Sequence, residues 1–595
     1  MYTLCILIAA TATGLSPQTP KGRSLAQSVP AADSSVQVTW GLRIPMRDGI
    51  VLNATVYGPA AATAPLPVVF ELTPYISDTY NDRGMYFARH GYRFAIVDVR
   101  GRGNSAGTAH LMADSKDGYD IVEWLARQPW CNGKVAMWGG SYAGEDQWAT
   151  AKEHPPHLAT IVPAAAAYPS VDFPFYANVF DSYDTQWLTL VSGVTPQDHL
   201  FGEGSYWIDR FHALYARHLP FASLDSVVGN HETAFHEWLA HPIPDVHWDS
   251  MVPTPEQYTG IRIPVLTITG HYDGDQRGAL EYYRRHLQSA GATADHYLII
   301  GPWDHAGTRT PRDEVGGLKF GPASLVDLPA LHVAWYDWTM KGGPKPEFLK
   351  KKVAYYLPGT GAEIWKYADS LGGIGAHPEP LYLGGHSIDA FSSGTLGAQK
   401  GTGAPDHWTY DPLDTRPGDE ELERGDINNP TTDQHDALNL YGAGVIYHTA
   451  PFAEATEITG WLHLTLWLAM DVPDADLGIT VSEIEPDGRS IALTDAMLRA
   501  RYRESPRREA LVKPGEIQRY DFSNFQFFSR RIAKGSRLRL VISTPNSIYV
   551  EKNYNSGGVV ANESGKDART AHITLYHDAE HPSALEIPVV RPVVQ

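Results

Sequence analysis

Gly139-Gly140-Ser141-Tyr142-Ala143-Gly144 restricts the fold of this 595-residue chain more than any other segment. A short apolar run, Lys134-Val135-Ala136-Met137-Trp138, leads into it. A stretch able to run as a helix follows from Tyr142 to about Glu153, where Pro155 and Pro156 stop it. Strand, tight turn with a serine at its apex, then helix is the context of a nucleophile elbow. Small residues at Gly139 and Ala143, two positions either side of the serine, let strand and helix approach closely. The serine can then sit in a strained turn with its hydroxyl exposed, and the helix N-terminus behind it favours developing negative charge.

A second segment competes. Gly103-Asn104-Ser105-Ala106-Gly107 fits G-x-S-x-G more literally, and Gly101 to Ala106 fits a dinucleotide fingerprint ending in Ala. Context separates the two. Ser105 lies several residues beyond the strand expected over Tyr92–Val99, and Thr108 to Ala113 reads as further loop. A dinucleotide site needs a strand that feeds straight into a helix. The Ser105 loop therefore reads as a glycine-rich turn at the carboxyl end of a strand, bordering the site.

The surrounding pattern alternates strands with helices, which implies a mostly parallel sheet covered on both faces. Strands are expected over Val36–Pro45, Ile50–Tyr57, Pro67–Thr73 and Tyr92–Val99. A helix from about Ser115 to Gln128 turns Ile121, Val122, Trp124 and Leu125 toward the sheet. From about 171 to 250 aromatics crowd together (Phe173, Phe175, Tyr176, Phe180, Tyr183, Trp187) and helical stretches replace strands, as in a cap over a site. The sheet resumes at Ile263–Thr269 and Ala294–Ile300, and a last helix runs from about Leu325 to Met340. Beyond residue 346, short alternating runs (Val353–Leu357, Trp461–Leu468, Leu477–Glu483, Arg537–Ser543, Ala571–Tyr576) predict an antiparallel sandwich or jelly roll. Asp419 to Thr432 reads as a charged loop. The expected division is a leader over 1–35, an α/β core over 36–170 and 251–345, a helical cap over 171–250 and a β-sandwich over 346–595.

A net charge of −20 argues against nucleic acid and anionic membranes as partners. Two cysteines, Cys5 and Cys131, exclude a disulfide framework and argue against a cysteine-based metal site; Cys131 reads as a free, packed thiol. His231 and His236 are spaced five apart, which does not put them on one helix face, so no metal site is expected there either. Leu4 to Leu15 is apolar enough for a secretory h-region, with Ser24-Leu25-Ala26 as a cleavage site, although no Lys or Arg precedes it. Such a leader implies a secreted or periplasmic protein; without it the protein would be cytoplasmic. No other stretch is apolar for long enough to span a bilayer. Nothing in the sequence sets the oligomeric state.

A serine nucleophile needs a base, and the base an orienting acid, placed on loops after later strands. Gly270-His271-Tyr272-Asp273-Gly274-Asp275 and Gly301-Pro302-Trp303-Asp304-His305 both sit at the carboxyl end of a strand. Asp273 is the expected acid and His305 the expected base, with Asp275 and Asp304 as alternative acids. The backbone N–H of Tyr142 supplies one oxyanion donor. Pro74-Tyr75 occupies the place of the second, where a packed loop tyrosine is the alternative.

As a set, these segments resemble the cocaine-esterase-like hydrolases, a family that includes X-Pro dipeptidyl-peptidases, α-amino-acid ester hydrolases and glutaryl acylases. Gly139 to Gly144 is similar to that family's G-x-S-Y-x-G elbow. Pro45-Met46-Arg47-Asp48-Gly49, Pro74-Tyr75, Asp98 to Gly103, Tyr272-Asp273-Gly274, Gly301 to His305 and Arg499 to Glu504 add to the match, from about Val36 to the C-terminus. The resemblance implies an α/β-hydrolase domain, a helical cap, a C-terminal jelly roll and no cofactor. It also implies Ser141 as nucleophile, Asp273 as acid, His305 as base, and the Tyr75 hydroxyl and Tyr142 amide as oxyanion donors.

The expected substrate is a small-molecule ester or amide, cleaved through an acyl-enzyme. Members of the family that take α-amino acyl groups carry a carboxylate cluster for the ammonium. Here Asp275 matches one of its acids, Gln276 replaces the second, and the third falls near Phe175, with Asp172 close but not aligned. One acid among aromatics favours a neutral or aromatic acyl group, with Asp275, Phe175 and Trp303 as candidate substrate contacts. An X-Pro dipeptidyl aminopeptidase or α-amino-acid ester hydrolase is the alternative within this class. A non-catalytic carbohydrate- or partner-binding protein is the alternative outside it.

Overall fold

The computed structural model describes residues 35–292, 294–359, 361–385, 393–401, 403–425, 429–433 and 441–591. The expected leader, with Cys5, lies outside the described residues except for its last position.

The first unit is a ten-stranded sheet. Its strands are β1 (Val36–Pro45), β2 (Val51–Pro59), β3 (Leu66–Thr73), β4 (Arg93–Asp98), β5 (Cys131–Ser141), β6 (Leu158–Ala166), β7 (Val265–Tyr272), β8 (His296–Asp304), β9 (Val353–Leu357) and β10 (Ile364–Ala368). They lie in the order β1-β2-β4-β3-β5-β6-β7-β8-β9-β10. β4-β3-β5-β6-β7-β8-β9 are parallel, and β1, β2 and β10 add antiparallel edges. The strands read as continuous apolar runs because both faces are covered. Val68, Phe70 and Leu72 of β3 pack with Ile121, Val122 and Leu125 of α2 (Ser115–Ala126) and Trp148 of α3 (Tyr142–Ala151). Val69, on the opposite face, packs with Phe87 of α1 (Asn81–Arg89), Trp335 and Tyr336. Each such side chain contributes about 1.5–3 kcal/mol when fully buried, so the sheet is held rigidly enough to aim side chains from its carboxyl edge.

Between β6 and β7 the chain forms a small hairpin (Phe175–Tyr176 with Val179–Phe180) and a set of helices, among them α4 (Tyr183–Val191). Its Trp187, Trp207, Trp238 and Trp248 join the core of the α2/α3 face, so this helical segment sits on the sheet rather than apart from it. α5 (Gln276–Ala290) and α6 (Leu328–Lys341) follow β7 and β8.

The C-terminal part is β-rich, a thirteen-stranded sheet system from Ala376–Gly384 to Ala584–Val590. Among the described residues its ladders are antiparallel except for Gly394–Gly397 beside Gly444–Thr449. Two expectations change here. Val353–Leu357, assigned from sequence to the sandwich, pairs in parallel with β8 and extends the first sheet to Ala368, past the expected boundary at 345. Its five residues are all buried, which marks a doubly covered strand and not an alternating one. Asp419 to Thr432, expected as loop, begins inside α7 (Arg416–Arg424). Pro417 near its start suits a helix N-terminus. Docking also fixes it: His212 meets Asp419 at 2.7 Å, and the Tyr215 hydroxyl donates to the Asp414 carbonyl at 3.0 Å.

Candidate active site

Ser141 ends β5 with φ 63° and ψ −126°, a left-handed conformation uncommon for a residue with a side chain. Close packing around it explains its neighbours. A Cβ on Gly139 would lie 2.7 Å from Ala143 Cβ, and one on Gly144 would lie 2.8 Å from the Ala164 carbonyl oxygen. The buried amide of Gln147 pins the turn: its Nε2 donates to the carbonyls of Gly139 (3.1 Å), Ala143 (3.0 Å) and Val162 (3.2 Å), and its Oε1 accepts from Val162 N–H (2.8 Å). The N–H of Tyr142 is the first of α3 and, like any first-turn N–H, has no partner within the helix.

Asp273 and His305 follow the carboxyl ends of β7 and β8. Asp273 Oδ1 accepts from His305 Nδ1 at 2.9 Å. The same carboxylate accepts from the Thr269 hydroxyl (2.8 Å) and the Asp275 N–H (3.1 Å), and its side chain is fully buried. This fixes the proton on Nδ1 and leaves Nε2 with its lone pair. Asp275 Oδ2 stands 3.6 Å from the same Nδ1, so Asp273 is the better placed of the two acids. Burial pushes the Asp275 carboxyl well up, and the neighbouring Asp172 and Asp273 charges add to this while Arg309 opposes it.

The Tyr75 phenol meets the Ser141 side chain and accepts the indole N–H of Trp187 at 3.1 Å. The ring of Trp187 stacks on Tyr142, with centroids 5.9 Å apart and planes 20° apart. Burial raises the Tyr75 phenol above its ordinary pKa, so it holds its proton as a donor at neutral pH. The Tyr142 phenol, by contrast, is structural: it donates to Asp114 at 2.6 Å and accepts from Met112 N–H at 2.8 Å.

Two expected substrate contacts are corrected. Trp303 is fully buried, lies over Gly301 and donates its indole N–H to the Ser324 carbonyl at 2.9 Å. As part of β8 it belongs to the core under the sheet, although His305 is only two residues away. Phe175 is buried edge-on against Phe180 and Trp248, inside the aromatic core of the helical segment. Trp187 stacks on Tyr142, and Phe173 packs edge-on against Trp187 at 5.1 Å.

Asp172, read from sequence as unaligned, caps α5, with its carboxylate accepting from the N–H of Gly278 and of Tyr168 (2.9 Å). Its charge helps to push the Asp275 carboxyl up. Gln147 and Trp187 are functional-site neighbours that no motif signalled, and Arg102 is one to which the Asp98–Gly103 segment assigned no role. Ser105 is excluded as a nucleophile. It is buried, donates to the Asp98 carbonyl at 2.7 Å and accepts from Asn53 N–H at 2.8 Å. His231 and His236 both meet Asp225, at 3.2 and 2.9 Å, and among the described residues no cluster suited to a metal ion occurs. Nor is any described helix long and apolar enough to cross a membrane.

Comparison with known proteins agrees with this architecture. The family model of the X-Pro dipeptidyl-peptidase (S15 family) matches residues 48–307, and that of the X-Pro dipeptidyl-peptidase C-terminal non-catalytic domain matches 347–586. The chain is 28% identical over 601 residues to a cocaine esterase from Rhodococcus sp. (strain MB1 Bresler), covering 94% of this chain and 100% of that one. Two solved structures share the fold. An aminopeptidase from the marine sediment archaeon Thaumarchaeota archaeon has a TM-score of 0.82 at 22% identity, over 96% of this chain and 99% of its own. An α-amino acid ester hydrolase has a TM-score of 0.81 at 20% identity, over 96% and 100%. With both domains matched in order and a cocaine esterase spanned along its whole length, the chain belongs to the cocaine-esterase and X-Pro dipeptidyl-peptidase (S15) family of α/β-hydrolases, serine hydrolases of ester or amide bonds.

Proposed function

We propose that Ser141 is the nucleophile, His305 its base, Asp273 the acid that orients the base, and the Tyr75 hydroxyl with the Tyr142 N–H the oxyanion donors. The observation that carries this reading is the 2.9 Å Asp273–His305 hydrogen bond. It lies along the same sheet edge that presents Ser141 in a strained turn beside Tyr75. His305 Nε2 takes the Ser141 proton as Oγ attacks the substrate carbonyl. The new C–O bond puts negative charge on the carbonyl oxygen, where Tyr75 and the α3 N-terminus stabilise it. The imidazolium, held by Asp273, returns the proton to the leaving alcohol or amine. A water activated by His305 then cleaves the acyl-enzyme.

We read residues 171–250 as a cap that walls the acyl side, with Trp187 against Tyr75 and Tyr142 and Phe173 behind it, and residues 1–35 as a secretory leader. The preferred acyl group is neutral or aromatic, because Asp172 has its carboxylate engaged by two backbone N–H groups. An α-amino acyl substrate is the second reading, supported by Asp275, whose carboxylate stands 3.6 Å from His305 Nδ1. Rates on p-nitrophenyl butyrate and on phenylglycine methyl ester with a free amine separate them. Turnover of the first alone, abolished in Ser141→Ala, supports the neutral-acyl reading. Strong preference for the amino ester favours the second, and a Ser141→Ala variant of full activity removes both.

A further inference from the structure

Arg102 is completely buried in the glycine-rich loop after β4, and its guanidinium reaches two parts of the site at once. On one side its Nε donates to the carbonyl of Pro74 at 2.8 Å, the residue immediately before Tyr75. On the other it donates to the carbonyls of Ser192 (3.0 Å), Gly193 and Leu190 (3.5 Å), at the C-terminal end of α4. A cation there is favoured by the helix dipole and satisfies carbonyls that the helix itself leaves unpaired. A backbone bond from Gly103 N–H to the Val194 carbonyl (2.6 Å) reinforces the junction.

α4 is also the helix that carries Trp187, whose indole N–H donates to the Tyr75 hydroxyl and whose ring stacks on Tyr142. Arg102 thus holds the Tyr75 backbone from below, and through α4 it holds the group that orients the Tyr75 phenol. We propose that Arg102 is a positioning residue for the oxyanion site, setting the Tyr75 hydroxyl relative to Ser141 by tying the Pro74 carbonyl to the end of α4. The proposal rests on the reading of Tyr75 as an oxyanion donor. Only a planar fork with several fixed donors can serve carbonyls on both sides; a lysine ammonium in the same space would serve fewer with less geometric control. Because a shift of about 1 Å in a catalytic group can cost on the order of a hundred-fold in rate, loss of this tie is expected in kcat rather than in KM.

The test is a double-mutant cycle on the full chain with p-nitrophenyl butyrate, using Arg102→Met, Arg102→Lys, Tyr75→Phe and the two combined variants. Arg102→Met should lower kcat about 10- to 100-fold with KM changed less than about three-fold, and Arg102→Lys should fall between it and wild type. In the Tyr75→Phe background the same changes should cost less than about three-fold, because the hydroxyl they position is gone. Equal losses in both backgrounds would show that Arg102 acts on the fold at large and would overturn the proposal. So would a wild-type kcat in Arg102→Met when Tyr75→Phe is slow. If Tyr75→Phe itself keeps wild-type kcat while Ser141→Ala is inactive, the oxyanion reading fails first and this one with it. Should Arg102→Met not fold, judged by circular dichroism, the Arg102→Lys arm of the cycle decides by the same comparison.

Discussion

The indole N–H of Trp187 donates to the phenol oxygen of Tyr75 at 3.1 Å, so a residue of the helical segment above the sheet completes the hydrogen bonding of a residue on the sheet's edge. A phenol that accepts one hydrogen bond becomes a stronger donor in the next, and its proton is steered away from Trp187. Trp187→Phe keeps an aromatic ring over Tyr142 and removes this donor. One neutral hydrogen bond is worth about 1 kcal/mol net, so kcat/KM should fall about five-fold. Steady-state rates on a p-nitrophenyl ester check it, and an unchanged kcat/KM would mean that the bond does not shape the reaction.

The two candidate acids make a sharper pair. Asp273 is fully buried and accepts from His305, Thr269 and the Asp275 N–H, whereas Asp275 stands off His305 by 3.6 Å. Asp273→Asn presents an NH2 group to donors and disturbs the imidazole tautomer, so kcat should drop on the order of 10⁴-fold. Asp275→Asn should cost about ten-fold or less. The reverse order of the two losses would transfer the acid's role to Asp275.

What could be read from sequence follows from what kind of neighbour each residue has. The Ser141 turn was legible because its constraints are covalent neighbours: small residues two positions away and a helix directly behind. Asp273 and His305 were legible because strand ends define an edge. The segment of Arg102 stood out, but its role did not, since its partners are backbone carbonyls distant in sequence, which leave no residue pattern. Trp303 misled because sequence proximity to His305 does not settle direction. As part of a strand it points under the sheet, while the residue just past the strand end turns toward the site. Val353–Leu357 was assigned to the wrong sheet because a five-residue apolar strand carries too few positions to distinguish alternation from burial on both faces.

Several histidines are buried neutral, and this sets a pH dependence. His332 accepts the Trp138 indole N–H at 3.2 Å, and burial pushes it down to about 3. His271 bonds the Tyr356 carbonyl at 2.8 Å and is pushed down to about 4. A folded pKa below the unfolded value of about 6.5 means that the unfolded chain takes up the proton first. Their stabilising contribution is therefore complete above about pH 6.5 and is lost as pH falls toward those values. Buried acids act with the opposite sign. Asp114 and Asp172, both raised to about 7 by burial, favour the folded state on the acid side. The histidine effect is thus read as a difference. The stability gap between wild type and His332→Gln should shrink by about 2 kcal/mol between roughly pH 6.5 and 5, at about 1.4 kcal/mol per pH unit. Urea unfolding across that range measures it, and a constant gap would mean that His332 is not held neutral by the fold.

Arg499 joins the β-rich domain to the helical segment over the site. Its guanidinium makes a two-point bond to Asp476 (2.8 and 3.0 Å), bonds Glu551 at 2.9 Å, and donates to the Asn178 carbonyl, in the turn of the Phe175–Phe180 hairpin, at 2.9 Å. All three charged side chains are almost fully buried. Arg499→Met would leave two carboxylates desolvated with no cation between them, at a cost of about 3–5 kcal/mol. Arg499→Lys should recover only part, because an ammonium cannot reproduce the fork. The exposed Arg507–Asp249 pair spans the same two regions at 2.8 Å, with both side chains about half accessible. Arg507→Ala should cost at most about 1 kcal/mol, and that cost should vanish in high salt. Denaturant midpoints for the three variants at low and high salt test this order. If Arg499→Met proved no worse than Arg507→Ala, the buried network would not be what joins the two domains.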